Sequence, residues 1–169
     1  MTNFQELITA LSDAGVQFII VGGVAATAHG SARLTQDLDV VYSRSPDNVD
    51  RLVRSLAPFE PYLRGAPVGL PFEWSRATID RGLNFTLTTT IGDIDLLGEI
   101  TGGGGYDDLL PHCEEMEFFG RSSKCLDLPS LIRVKRAAGR PSSARACAIC
   151  AISRGVSTLA FTFSPERRL

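Results

Sequence analysis

The sequence predicts an α/β (α+β) protein in which a small mixed β-sheet is flanked by helices. Residues 3–14 carry apolar side chains at spacings of three and four, which is typical of a helix with one buried face. Residues 18–21 form an apolar run of strand length, and residues 83–90 alternate apolar and polar side chains. Residues 94–97 follow after a short turn and make an antiparallel partner strand. A further helix begins near Leu128, with a proline in its first turn.

The central stretch, residues 18–41, joins two predicted strands through a glycine corner. After the first strand come Gly22 and Gly23, where the backbone can turn sharply because neither residue has a Cβ. A short run of small, helix-tolerant residues follows, and residues 37–41 predict the second strand. A strand, a glycine turn and a helix N-terminus present unpaired backbone N–H groups, which suit phosphate oxygens.

Two acidic residues open the second strand. Asp37 and Asp39 are two positions apart, so their carboxylates point to one face, about 6.5–7 Å apart along the chain. Carboxylates this close repel each other unless a cation neutralises them. Hard oxygen ligands suit Mg²⁺ (or Mn²⁺), which commonly binds carboxylates together with substrate phosphates. The stretch therefore predicts a nucleotide and metal site; the alternative is a buried turn followed by a solvated acidic strand end.

These motifs resemble the nucleotidyltransferase superfamily typified by DNA polymerase beta. The matching pattern is Gly22-Gly23, His29-Gly30 and Arg33-x-Thr35-x-Asp37-x-Asp39. In full it is similar to the small bacterial branch of minimal and toxin-type (AbiEii-like) nucleotidyltransferases. The resemblance implies the nucleotidyltransferase fold over residues 1–140. It also implies an enzyme that moves NMP from an NTP to an acceptor hydroxyl and releases pyrophosphate.

The resemblance further implies a third metal carboxylate on the later strand pair, and Asp95 matches its place. Asp93 is in phase with Asp95 and stays an alternative, although its position in the predicted turn at 91–93 also explains it structurally. The catalytic and metal-binding residues are thus predicted to be Asp37, Asp39 and Asp95. Two Mg²⁺ ions about 3.5–4 Å apart would stabilise the attacking and leaving oxygens.

The predicted nucleotide-binding residues are Gly22, Gly23, Ser31, Arg33, Thr35 and Lys135. The glycine N–H groups would hold the β- and γ-phosphates, while Ser31 and Arg33 would add side-chain donors. Arg33 and Thr35 could instead only order the loop before Asp37. Lys135 could meet the triphosphate or lie on a solvated helix face.

Residues 58–76 are rich in proline and glycine and predict a long loop without a strand. Long loops in compact domains are often functional. One interpretation is that Phe72 and Trp74 pin this loop to the core. The other is a lid whose aromatic ring or arginines, Arg64 and Arg76, touch the nucleotide.

The remaining segments predict a helix, a flexible link and a hairpin. Ser45 caps a helix that Pro58 stops. The glycines at 102–105 either form a ligand-facing loop, with Tyr106 stacked on a base, or a link into a short helix, with Tyr106 as an ordinary contact. Residues 114–126 predict another hairpin region.

The composition changes in the last part of the chain. Residues 141–169 contain no Lys and no Asp, and we expect a divergent C-terminal tail whose sequence reflects a changed reading frame or a replacement. Cys147 and Cys150 have the CxxC spacing of zinc and thiol-redox sites. With Cys113 and Cys125 they could complete a four-thiolate site, or they could be inert.

The overall composition limits the partners. A chain of 169 residues with 44% hydrophobic residues suggests one domain, with or without a small appendage. Its net charge of −2 argues against a generally basic nucleic-acid-binding surface. No apolar run reaches the roughly 20 residues that span a bilayer, and the N-terminus lacks a secretory signal pattern. We therefore expect a cytoplasmic protein without a membrane partner, whose cysteines are thiols.

The predicted partners are an NTP and an acceptor whose identity the sequence leaves open. A small molecule such as an antibiotic, a tRNA end and a protein hydroxyl all fit, and the resemblance adds a toxin–antitoxin partner. The alternative function is a catalytically silent nucleotide sensor, or a toxin–antitoxin component on the same fold. The three acids favour an enzyme, because folding does not require converging carboxylates.

Overall fold

The computed structural model describes residues 1–67 and 69–139; the predicted tail and its CxxC pair lie outside these residues. The helices are α1 (Phe4–Asp13), α2 (Gly22–Ala28), α3 (Pro46–Leu56), α4 (Arg76–Arg81), α5 (Tyr106–Leu109) and α6 (Leu128–Ala137). The strands are β1 (Phe18–Ile20), β2 (Asp37–Tyr42), β3 (Tyr62–Leu63), β4 (Asn84–Thr89), β5 (Gly92–Leu97), β6 (Glu99–Ile100), β7 (Gly104–Gly105), β8 (Cys113–Phe118) and β9 (Arg121–Leu126).

Within these residues, seven strands form one mixed sheet in the order β3-β4-β5-β2-β1-β9-β8. Strand β2 runs parallel to β5, and β1 runs parallel to β9, while the other neighbours are antiparallel. Strands β6 and β7 form a separate two-stranded ribbon. The prediction of a small mixed sheet flanked by helices is confirmed.

The core lies at the centre of the sheet, where β1 is covered on both faces. Ile19 and Ile20 point to opposite faces of β1, and both are fully buried. The same core contains Leu7 and Leu11, from the apolar face of α1, and Leu131 of α6. Burial of each such side chain stabilises the folded state by about 1.5–3 kcal/mol. The central strands therefore form a rigid base for the residues at their ends.

The glycine pair opens α2 rather than forming a separate turn before it, which corrects the sequence prediction. Gly22 has φ +63°, a left-handed conformation that favours glycine, and the helix continues directly from it. The backbone N–H of Val21 donates to the carbonyl of Asp39 at 3.0 Å, which ties this corner to β2. The helix N-terminus and the acidic strand are therefore held side by side.

The prediction that residues 58–76 contain no strand was wrong, because β3 pairs with the edge of β4. The rest of the segment is pinned to the core. The Trp74 indole N–H donates to a carbonyl of α3 at 2.9 Å, and Phe72 packs edge-to-face on Tyr62, with ring centroids 5.8 Å apart. These contacts support the pinning interpretation of the two aromatic residues. The short helix α4, which begins at the end of the segment, was not predicted.

The predicted hairpin of β4 and β5 is confirmed, but its turn is shorter than expected. Gly92 and Asp93 belong to β5, so Asp93 is a strand residue and not a turn residue. The loop predicted for the glycines at 102–105 is also corrected, since its last two residues pair with β6. The hairpin predicted at 114–126 and the helix beginning at Leu128 are confirmed.

Two side chains considered in the sequence lie apart from the acidic residues. His29 is buried, and its Nε2 lies 2.8 Å from the carbonyl oxygen of Leu126, which fits a packing role behind the glycine corner. Tyr106 lines a different cavity, beside Val16 and Phe18. No helix in the described part of the chain has the length and apolar character needed to span a bilayer.

Candidate active site

The parallel pairing of β2 with β5 brings the acidic residues together. In this register Asp37 lies opposite Asp93, and Asp39 lies opposite Asp95. Within each strand the two acids are two residues apart and share a face. One carboxylate oxygen from each of Asp37, Asp39 and Asp95 lies within 4.8 Å of the others. The predicted trio therefore converges on one point.

Asp93 does not belong to this group of three. Its carboxylate lies 3.6 Å from Nε of Arg64, beside the trio. The choice of Asp95 over Asp93 as the third metal carboxylate stays a prediction. The geometry favours Asp95, because its oxygen approaches both acids of β2.

The glycine corner sits directly against the acids. The backbone N–H of Gly23 donates to Oδ2 of Asp39 at 3.3 Å. A Cβ placed on Gly22 would lie 1.9 Å from that same oxygen, and one on Gly23 would lie 2.3 Å from Oγ1 of Thr35. Both approaches are shorter than any contact that a side chain allows, so only glycine fits at these two positions.

The loop before β2 is ordered by its own hydroxyl groups. Oγ1 of Thr35 donates to a carboxylate oxygen of Asp37 at 3.1 Å. The hydroxyl oxygen of Ser31 accepts the backbone N–H of Arg33 at 3.3 Å. These bonds favour the alternative that Thr35 orients Asp37 rather than binding nucleotide, while Arg33 is exposed at the rim.

All nine predicted site residues line one cavity of about 480 Å³. They are Gly22, Gly23, Ser31, Arg33, Thr35, Asp37, Asp39, Asp95 and Lys135. The cavity is also lined by Asn84, Glu99 and Thr101, which the sequence analysis did not consider. The structure thus brings the predicted residues together, and their individual roles remain predictions.

Sequence reasoning missed the placement of Arg64 inside the acidic cluster. Its Nη1 lies 3.2 Å from Oδ2 of Asp37, and its Nη2 donates to Oδ1 of Asp95. The lid interpretation considered Arg64 as a contact for the nucleotide, not for the carboxylates. No local signal could have revealed the pairing, because 27 residues separate Arg64 from Asp37 and the contact depends on how β3 joins the sheet.

Solved structures with a similar fold belong to antibiotic nucleotidyltransferases. The lincomycin-bound lincosamide antibiotic adenylyltransferase LnuA aligns with a TM-score of 0.55 and 10% identity, covering 87% of this chain and 97% of that one. The antibiotic-resistance factor ANT(2'')-Ia aligns with a TM-score of 0.50 and 14% identity, covering 89% and 83%. This chain has the nucleotidyltransferase fold. No protein-family model and no curated protein sequence matches it.

On this nucleotidyltransferase fold, burial makes a charge on Asp95 costly. Burial raises the pKa of the Asp95 carboxyl, Arg64 lowers it in part, and the nearby Asp37 carboxylate raises it again. The side chain is 19% exposed, so solvent screens these effects only weakly. An added cation would favour the ionised form of the whole cluster.

The raised pKa of Asp95 predicts a pH dependence of stability. Between the ordinary value of 3.8 and the raised value, the folded state binds more protons at Asp95 than the unfolded state does. Stability relative to the Asp95→Asn variant should therefore fall as pH rises through this window. Denaturant unfolding of both proteins without metal, from pH 3.5 upward, measures this difference. A difference that does not change with pH would contradict the assignment.

The donor set fits a divalent cation. Three carboxylates converge, and hard oxygen donors of this kind suit Mg²⁺ and Mn²⁺. The side chains of Asp39 and Thr35 pack so closely on Gly22 and Gly23 that a Cβ on either glycine would collide with them. Asp37, Asp39 and Asp95 would hold such a cation beside the N-terminus of α2, the end of a helix that suits phosphate oxygens.

Proposed function

We propose that this protein is a divalent-metal-dependent nucleotidyltransferase that moves NMP from an NTP to an acceptor hydroxyl. The observation that carries the proposal is the convergence of Asp37, Asp39 and Asp95 within 4.8 Å, beside the glycine corner of α2. The fold shared with known nucleotidyltransferases supports it. Asp37, Asp93 and Asp95 share the single positive charge of Arg64, so the cluster keeps an excess of negative charge that favours a cation.

In the proposed reaction the acceptor hydroxyl oxygen attacks the α-phosphorus of the NTP. A new P–O bond forms, the bond to the β-phosphate oxygen breaks, and pyrophosphate leaves. Divalent cations held by Asp37, Asp39 and Asp95 would neutralise charge on the attacking and leaving oxygens. Asp95, whose side chain is more buried than that of Asp37, would help accept the hydroxyl proton.

The other cavity residues would hold the triphosphate. Gly22 and Gly23 open α2, and their N–H groups would bind the β- and γ-phosphates. The N–H of Gly23 would then exchange its bond to Asp39 for one to a phosphate oxygen. Arg33 and Lys135 carry positive charge at the cavity wall and would form charge-assisted bonds to phosphate oxygens. Ser31 would add a hydroxyl donor, while Thr35 would keep Asp37 oriented.

Replacing Lys135 with Gln should weaken NTP binding more than catalysis. Loss of one charge-assisted bond to a phosphate should raise KM for the NTP by about tenfold and leave kcat nearly unchanged. Steady-state kinetics of pyrophosphate release measure both constants. Arg133→Gln is the matched control, because Arg133 is exposed on the same helix and does not line the cavity. Equal KM values for the two variants would contradict the role of Lys135.

The acceptor we propose is a small hydroxyl-bearing molecule. The cavity of about 480 Å³ lies in the range of about 300–1,000 Å³ that is usual for small-molecule sites. The net charge of −2 disfavours a large RNA. LnuA, which shares the fold, is a lincosamide antibiotic adenylyltransferase. The toxin-type branch, a toxin–antitoxin partner and tRNA or protein acceptors stay predictions without further support.

The function is tested by supplying each α-³²P-labelled NTP with Mg²⁺ and a panel of acceptors. The panel holds lincomycin, other hydroxyl-rich antibiotics, tRNA and a protein mixture. We expect a labelled small-molecule product with equimolar pyrophosphate, lost on adding EDTA and in the Asp39→Asn variant. Tight NTP binding without pyrophosphate release from any acceptor would instead favour a silent nucleotide sensor.

A further inference from the structure

Arg64 sits among the carboxylates that the proposed reaction needs. Its guanidinium group contacts Asp37 through Nη1 at 3.2 Å, Asp93 through Nε at 3.6 Å, and Asp95 through Nη2. Nε and Nη2 also lie 3.4 Å from the carbonyl oxygen of Leu87. One positive group therefore bridges acids on two neighbouring strands.

The electrostatics of the cluster explain this arrangement. The β2–β5 register places four carboxylates, Asp37, Asp39, Asp93 and Asp95, on two adjacent strands. Without a cation they would repel one another strongly, because they are only partly exposed to water. The planar guanidinium fork suits this task, since it can donate to several carboxylates at once.

The contacts of Arg64 overlap with those of a metal. Asp37 and Asp95 belong both to the group that fits a divalent ion and to the ion pairs of Arg64. A divalent ion and the guanidinium would compete for the negative charge and the oxygen atoms of these same two carboxylates.

The sheet holds the backbone of Arg64. Its N–H donates to the carbonyl of Thr86 at 3.0 Å, directly after β3. Because an arginine side chain has several staggered rotamers, the guanidinium could leave the acids by side-chain rotation while this backbone bond stays in place.

We propose that Arg64 is the built-in counter-ion of the metal-free cluster, and that divalent ions bind by exchanging with its guanidinium. This inference rests on the proposed function, because it uses the same metal site. It makes Arg64 a positioning residue that keeps the carboxylates converged while no metal is bound. The cost of displacing Arg64 lowers metal affinity, so that the ions enter most readily together with a triphosphate, which brings its own oxygen ligands.

The exchange is tested by titrating the full chain with Mn²⁺ in the absence of nucleotide. The electron paramagnetic resonance signal of free Mn²⁺ reports how much of the ion is bound. Arg64→Gln should bind Mn²⁺ about tenfold or more tightly than the unaltered protein, because no charged bonds have to be broken first. Arg64→Lys keeps the positive charge but loses the planar guanidinium group, so its Mn²⁺ affinity should lie between those of Arg64→Gln and the unaltered protein. Arg76→Gln, which removes an exposed arginine paired with Asp50, is the control and should match the unaltered protein.

A second readout separates exchange from simple loss of stability. Without metal, Arg64→Gln should unfold at a lower temperature than the unaltered protein, and saturating Mn²⁺ should restore most of this loss. Equal or weaker Mn²⁺ affinity in both Arg64 variants, while the unaltered protein binds Mn²⁺, would overturn the exchange alone. If neither the variants nor the unaltered protein bound Mn²⁺ at millimolar concentration, both the exchange and the proposed metal site would fail.

Discussion

Replacing Asp39 with Asn should lower nucleotidyl transfer by about a thousandfold or more, because metal stabilisation of the transition state is worth several kcal/mol. The fold should stay intact. Asp39 accepts the N–H of Gly23 at 3.3 Å, and an Asn side-chain oxygen can accept the same bond. Removing one of four clustered negative charges also relieves repulsion. Transfer assays and denaturant unfolding of the same samples measure the two effects.

The structure offers a matched pair of controls for this result on a single strand. Asp95 and Asp93 both lie on β5 and both contact Arg64, but only Asp95 belongs to the converging trio. Asp95→Asn should lower transfer activity as much as Asp39→Asn or Asp37→Asn does, whereas Asp93→Asn should lower it only slightly. The opposite ranking would exchange the roles of the two β5 acids.

Gly22→Ala should disrupt the site through a single methyl group. The new Cβ would lie 1.9 Å from Oδ2 of Asp39, so the carboxylate would have to leave its place. The φ of +63° adds a backbone cost of about 1–2 kcal/mol for a residue with a side chain. We expect transfer to fall by about a hundredfold or more, since a displacement of about 1 Å at a catalytic group can have that effect.

Gly120→Ala separates backbone strain from loss of the site. Gly120 has a similar φ of +75° and lies in the β8–β9 turn, where an added Cβ would meet nothing within 4 Å beyond its chain neighbours. The positive φ at both positions should cost the two variants comparable stability, but only Gly22→Ala should lose transfer activity. Similar residual activity in the two variants would show that the close approach of Gly22 to Asp39 is not needed for transfer.

The acids and the glycine corner could be predicted because their signal is local. Asp37 and Asp39 share a face through the period of a strand, and the adjacent glycines mark the helix N-terminus. Adding Asp95 to these two acids required the family resemblance, since no local rule fixes which strands pair. The register of β2 with β5 then places Asp95 directly opposite Asp39.

The features that the sequence did not reveal depend on tertiary contacts. Strand β3 has two residues and exists because β4 offers an edge, so no periodicity marks it. Helix α4 buries only Ile79, which is too little for a helical pattern, although the Ser75 side chain caps its start. The ribbon of β6 and β7 uses glycines, which have little strand preference of their own.

Arg64 shows why a candidate site can be incomplete when it is built from motifs alone. Motifs identify residues that a ligand needs, but they do not reveal what neutralises those residues before the ligand arrives. The carboxylates of Asp37 and Asp95 require a counter-charge in the folded chain, and it comes from a segment that sequence analysis described as a loop. A partly buried cluster of like charges is a reason to look for such a partner.

The most direct test of the account is a crystal of the full chain soaked with Mn²⁺ and an NTP analogue whose α–β bridge cannot be cleaved. Anomalous scattering locates Mn²⁺ independently of any assumption about the site. The account predicts Mn²⁺ peaks about 2.0–2.3 Å from carboxylate oxygens of Asp37, Asp39 and Asp95, with the triphosphate on the N–H groups of Gly22 and Gly23. Mn²⁺ and triphosphate bound away from these residues, with the acids still paired to Arg64, would contradict it.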